Sequence, residues 1–146
     1  MRYLHTTVRV SDLEESLDFY CNKLGLTEFH RTENARGCFT LDFLCAPADA
    51  EFAAERRAPL LELTHNRDPA ECTCGRNFGH LACGVTKIYK TCQRLMDGGV
   101  MINRPPRDGH IAFVRSPDGI SIELLQDGGH LLAAEAWVSM PNTGTR

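Results

Sequence analysis

The sequence predicts an α+β protein made of two tandem βαβββ modules that form curled mixed sheets. Three observations carry this. Several short segments are rich in β-branched and aromatic residues and alternate apolar with polar positions, as half-buried strands do. Each half of the chain has one helical stretch directly after its first strand. A histidine that opens a strand and a glutamate inside a later apolar strand occur twice, as His5 with Glu62 and as His80 with Glu123.

Residues 3–10 (Tyr-Leu-His-Thr-Thr-Val-Arg-Val) give the first strand. Ser11-Asp12-Leu13-Glu14 is an S-x-x-E capping box. Leu13, Leu17, Tyr20 and Leu24 follow at helical spacing, and Gly25 stops the helix, which covers about 12–24. Strands are expected at 26–31, 38–44 and 59–65, with Ala46 to Ala58 a loop or short helix. The second half repeats the plan. Gly79 to Val85 is a strand; Ile88, Cys92 and Leu95 share a helix face, and Gly98-Gly99 ends that helix. Strands follow at 100–104, 110–115 and 120–126, the last introduced by the turn chemistry of Ser116-Pro117-Asp118-Gly119. The domain plan is residues 1–68 for the first module, 69–77 for a Pro/Gly/polar linker, 78–128 for the second module and 129–146 for a loosely ordered tail, one compact domain in all.

A chain of 146 residues suffices for one ordinary domain or two small fused modules. A formal charge of −3 argues against a nucleic-acid partner. The longest apolar runs are too short to span a bilayer. The N-terminal segment has no apolar signal region. The seven cysteines, an odd number, read as free thiols of a cytoplasmic protein rather than a disulfide framework. Cys72-Thr73-Cys74 is the only close pair, and it lacks the second pair that a structural zinc site needs.

Strand alternation places His5, Thr7 and Arg9 on one face of the first strand and Leu4, Thr6, Val8 and Val10 on the other. Leu60, Glu62 and Thr64 share a face, as do Ser121, Glu123 and Leu125. A single glutamate in a strand is usually a solvent-facing alternate position. Four potential ligands at equivalent points of a repeat are not explained that way. A sheet curled around its polar face would bring His5, Glu62, His80 and Glu123 together. Two imidazoles and two carboxylates suit divalent nickel, cobalt, zinc or manganese. Such a site polarises a carbonyl or enediolate oxygen, and a carboxylate beside it can act as a base, which points to proton transfer next to a carbonyl. His30, His65, His110 and His130 fall outside the paired pattern and read as non-ligands, with His65 and His110 the nearer to the expected pocket.

With these motifs the chain resembles glyoxalase I of the vicinal oxygen chelate superfamily. The matching runs include Leu4-His5-Thr6, Val8 to Leu13, Ser16 to Tyr20, Leu61 to Asn66, Phe78-Gly79-His80, and Ala112-Phe113 through Pro117-Asp118-Gly119 to Ile122-Glu123, about residues 2–126. The resemblance implies the glyoxalase/bleomycin-resistance/dioxygenase-like fold. It implies a homodimer with active sites at the subunit interface and metal ligands His5, Glu62, His80 and Glu123. It implies a lactoylglutathione lyase that detoxifies methylglyoxal. The glutathione hemithioacetal would become S-lactoylglutathione by proton transfer through a metal-bound enediolate. Glu123 falls at the position of the principal base and Glu62 at that of the opposing carboxylate.

Further positions follow from the same resemblance. Arg9 lies on the face of His5, about 13 Å along the strand at ~3.3 Å per residue. With Asn66, Arg76, Arg104 and Gly109 it corresponds to glutathione contacts. Leu41, Phe43 and Phe113 correspond to an apolar pocket around the methyl group. His5 in place of glutamine and the short Glu62–His80 interval resemble the class activated by nickel or cobalt, with zinc also compatible. Arg67 stands where a tryptophan is common, and Cys72 and Cys74 are departures from the pattern. Other readings are a different metalloenzyme of the superfamily (epimerase, thiol transferase or dioxygenase) or a metal-free drug-binding module of the same fold. The fourth ligand, Glu62, argues against a dioxygenase, which needs two histidines and one carboxylate.

Overall fold

The computed structural model describes residues 3–57, 59–67 and 78–144. The chain divides into two compact units, Met1–Thr73 and Cys74–Arg146. The expected linker at 69–77, with Cys72 and Cys74, lies outside the described residues.

The first unit runs β1 (His5–Val10), α1 (Leu13–Leu17) continued by π-helical turns over Asp18–Leu24, β2 (Thr27–Asn34), β3 (Phe39–Cys45), α2 (Ala50–Arg56) and β4 (Leu60–Asn66). Its sheet has the order β1-β4-β3-β2. β1 pairs with β4 in parallel, and the other neighbours are antiparallel. The second unit runs β5 (Leu81–Val85), α3 (Ile88–Asp97), β6 (Ile102–Arg104), β7 (Ile111–Arg115), β8 (Ser121–Gln126) and α4 (Glu135–Val138). Its sheet order is β5-β8-β7-β6, again with the first and last strands parallel. Each unit is therefore the expected βαβββ module with a mixed sheet.

The alternation read from β1 holds. Val8 and Val10 are buried while His5, Thr7 and Arg9 are exposed. Leu44 and Leu63 are fully buried, as are Ile122 and Leu124 in the second unit. An apolar sheet face needs a cover. α3 supplies it in the second unit by packing on β6, β7 and β8, with Ile88, Cys92 and Leu95 buried as the spacing predicts. Gln126 completes that helix: its side-chain oxygen accepts from Ile88 N at 2.8 Å, because Lys87 at the cap position offers no acceptor. Burial pushes the Cys92 thiol up to about 12, so it packs as a small hydrophobe.

Three local expectations are corrected. The cap of α1 is Asp12, whose carboxylate accepts from Glu15 N at 2.9 Å, not Ser11. Asp12 and Ser11 are both good caps, and the register that buries Ser16, Phe19 and Tyr20 selects Asp12. β2 runs to Asn34 rather than residue 31, because Arg31 through Asn34 keep pairing with β3. Finally, the C-terminal stretch expected to be loose carries α4. Trp137 there is buried and stacked on Tyr89 at 6.1 Å, and Arg107 donates two hydrogen bonds to the Met140 carbonyl at 2.9 and 2.7 Å.

Candidate metal centre

In the first unit, β4 holds Glu62 directly across from Thr7 of β1, two residues beyond His5. This places His5 Nε2 3.3 Å from Glu62 Oε2. In the second, β8 holds Glu123 directly across from Ala82 of β5, two residues beyond His80. His80 Nε2 lies 3.1 Å from Glu123 Oε2. The two pairs thus arise from one register rule applied twice.

A phenylalanine completes each pair. Phe43 is the β3 partner of Glu62, and Phe113 is the β7 partner of Glu123. Phe43 meets the His5 ring edge to face at 5.7 Å, and Phe113 meets the His80 ring in the same way at 5.5 Å. An aromatic neighbour on the sheet fixes the imidazole plane without consuming either ring nitrogen.

The donor chemistry fits a divalent ion. Two donors bound at ~2.1 Å with angles between square and tetrahedral lie roughly 3.0–3.4 Å apart, the range in which both pairs fall. Among the described residues no three His, Cys, Asp or Glu side chains gather in one place. The donors come as two pairs, one in each unit.

Glu62 is buried, and its second oxygen is held as well. Thr7 and Thr64 donate hydroxyl hydrogen bonds to Glu62 Oε1 at 3.1 and 3.0 Å. The alternation rule already put Thr7 on the face of His5 and Thr64 on that of Glu62. The signal lies in the sequence, but only the pairing of β1 with β4 gives the two threonines a common partner.

Beside His5 the first unit has a cavity of about 470 Å³ walled by Leu4, Phe29, Phe43 and Leu60, with His30 and Arg57 also lining it. Phe43 lines this cavity. Leu41 does not line this cavity; it is half-buried opposite Thr64. His30, a non-ligand by its place outside the paired pattern, lines the cavity and stacks on Phe43 at 6.2 Å. The register shift between Glu28 and His30 turns it there, a bulge that alternation alone does not reveal. His65 does not line it, and His110 sits instead against His130 at 4.5 Å.

Of the expected substrate contacts, Arg9 is exposed on the His5 face and Asn66 half-buried at the end of β4. Arg76 lies outside the described residues. Arg104 is engaged with Asp108 at 3.3 Å. Burial disfavours charge on Asp108, but N–H donors from Ile111 and His110 and the Arg104 charge outweigh it and hold the carboxyl below its usual value. Gly109 has φ +66, and a Cβ there would run into the Leu131 carbonyl, so the fold itself demands glycine. Arg67 pairs with Glu33 at 3.3 Å.

Two βαβββ units, each presenting a His–Glu pair on one sheet face, define a paired-module protein with donors for a divalent metal. The chain belongs to the glyoxalase/bleomycin resistance protein/dioxygenase superfamily, whose pattern residues 2–124 match. It is 41% identical to a probable lactoylglutathione lyase of Synechocystis sp. over 86% of this chain and 95% of that one. It is 40% identical to a lactoylglutathione lyase of Neisseria meningitidis over 86% of this chain and 91% of that one. Among solved structures it matches the trypanothione-dependent glyoxalase I of Leishmania major with a TM-score of 0.77 and 32% identity, over 87% of each chain.

Proposed function

We propose that this protein is a metal-dependent lactoylglutathione lyase that converts the methylglyoxal–glutathione hemithioacetal to S-lactoylglutathione. The observation that carries the reading is the repeated His–Glu contact, at 3.3 Å for His5–Glu62 and 3.1 Å for His80–Glu123, in a chain related to such lyases over most of its length. The four donors would hold a divalent ion, with nickel or cobalt preferred. When bound, that ion supplies positive charge beside the substrate oxygens, worth several kcal/mol in the transition state. Among the described residues each unit brings one His–Glu pair together, and the family resemblance favours a homodimer whose sites combine the first module of one chain with the second module of its partner.

The residues of the chain then have separate tasks. Glu123 takes the proton from the sulfur-bearing carbon of the hemithioacetal and returns it to the neighbouring carbon. Glu62, the opposing carboxylate, does the same for the other stereoisomer. The cavity beside His5 has apolar walls that suit the methyl group and exclude water from the reacting carbons. Arg9 is an exposed cation on the His5 face with no ion-pair partner among the described residues, placed to grip a carboxylate of the thiol. The described cysteines are free thiols, in keeping with a cytoplasmic setting. No helix among the described residues is long and apolar enough to cross a membrane.

The test is to strip the protein of metal, add nickel, cobalt, zinc or manganese separately, and follow thioester formation from methylglyoxal and glutathione. Activity is expected with nickel or cobalt first. No activity with any metal refutes the reading.

A further inference from the structure

We propose that Thr7 and Thr64 are positioning residues that orient Glu62 in the metal centre, holding its Oε1 so that Oε2 is presented to the metal side, a clamp that Glu123 lacks. The inference rests on the ligand assignment made under the proposed function and goes beyond it by distinguishing two chemically identical residues through the hydroxyls that hold one of them.

Both threonine hydroxyls fall on one oxygen. Thr7 Oγ1 lies 3.1 Å and Thr64 Oγ1 3.0 Å from Glu62 Oε1, while Oε2 faces His5 Nε2 at 3.3 Å. An ionised carboxylate only accepts, so each hydroxyl must donate. The two oxygens are thereby divided: one anchored to the protein, one turned to the metal side. Outer hydrogen bonds of this kind set a ligand's orientation before the ion arrives. They also resist any swing of the side chain, since moving it breaks two hydrogen bonds at a largely buried group.

The same register positions in the second unit are Ala82, directly across from Glu123, and Leu125, two residues further along β8. Neither has a hydroxyl. Among the described residues the polar partner of Glu123 is the His80 imidazole alone. A glutamate so placed can turn from a metal-facing to a substrate-facing rotamer without leaving a buried donor unpaired. The repeat has thus kept the ligand pair in both halves and the hydroxyl clamp in one.

The test reads nickel affinity by competition with a chromogenic chelator, which does not depend on turnover. Thr7→Val and Thr64→Val keep the shape and strand preference of the side chain and remove the donor. The double variant is expected to bind nickel at least about tenfold more weakly. Thr7→Ser with Thr64→Ser, which returns both hydroxyls, is expected to restore affinity. The reciprocal variant Ala82→Thr, which offers Glu123 the missing hydroxyl, is expected to lower kcat with little change in KM and no loss of nickel. Undiminished affinity in the double valine variant, no rescue by serine, or unchanged kcat in Ala82→Thr would each overturn the clamp. Glu62→Gln separates the two levels. If it loses nickel while the valine variants do not, the clamp alone fails; if it too keeps full affinity, the ligand assignment fails.

Discussion

Phe43 stands directly across the β3–β4 ladder from Glu62, and its ring meets His5 edge to face at 5.7 Å. One residue is therefore the ladder partner of Glu62 and the ring neighbour of His5. Phe43→Leu should keep the fold at a cost of about 1 kcal/mol, the worth of the ring contact, and weaken metal binding severalfold by loosening the His5 plane. Denaturant unfolding and metal competition measure the two effects. Equal metal affinity in the variant would show that the ring only fills space.

Arg9 and Arg104 should separate in steady-state kinetics. Arg9 is exposed on the His5 face, whereas Arg104 is engaged with Asp108. Arg9→Met should raise KM for the hemithioacetal about tenfold with kcat nearly unchanged, as for the loss of one charged hydrogen bond in uniform binding. Arg104→Met should change KM less. The opposite ranking would move the thiol's carboxylate contact to the second unit.

A buried charge beneath the first sheet gives a pH signature. Asp42 is fully buried and receives Arg31 Nε at 2.6 Å, and burial raises its carboxyl above the ordinary value despite that partner. A raised native value means that the folded chain takes up a proton before the unfolded chain does. The contribution of this group is therefore fully present below the ordinary carboxylate value and is lost as pH rises through the raised one. Arg31→Met removes the compensating cation. It should cost about 3 kcal/mol near neutral pH, the low end for a broken buried pair because the guanidinium is partly exposed. The loss should shrink as pH falls through the raised Asp42 value and the carboxyl takes up its proton. Urea midpoints compared near pH 7 and in acid check this; a loss independent of pH contradicts it.

The C-terminal segment should matter to stability. Trp137 is 6% exposed and stacks on Tyr89, whose hydroxyl donates to the Leu132 carbonyl at 2.9 Å. Trp137→Ala should destabilise the second unit by about 3–5 kcal/mol, seen as a lower unfolding midpoint. A change within the range of a surface substitution would show that the segment is dispensable.

Much of this was legible because strands alternate strictly. His5, Thr7 and Arg9 were separable from Val8 and Val10 by parity alone, and the same parity aligned Glu62 with Glu123. The helix face Ile88, Cys92 and Leu95 followed from spacing. What escaped depended on contacts between distant segments. The choice of Asp12 over Ser11 as cap is made by which helix face becomes buried. The bulge that carries His30 into the cavity breaks the parity on which the reading relied. Trp137 sits in a stretch with no periodic pattern, yet finds Tyr89 on α3. The resemblance makes Gly109 a substrate contact; its positive φ and the Leu131 backbone packed against it come only with the fold.

The most direct test of the central claim is a paired measurement on Glu123→Gln: bound nickel and thioester formation in the same sample. A proton-transfer centre in which Glu123 is the base predicts that the variant retains some metal while turnover falls by several orders of magnitude. Full turnover in Glu123→Gln would contradict it.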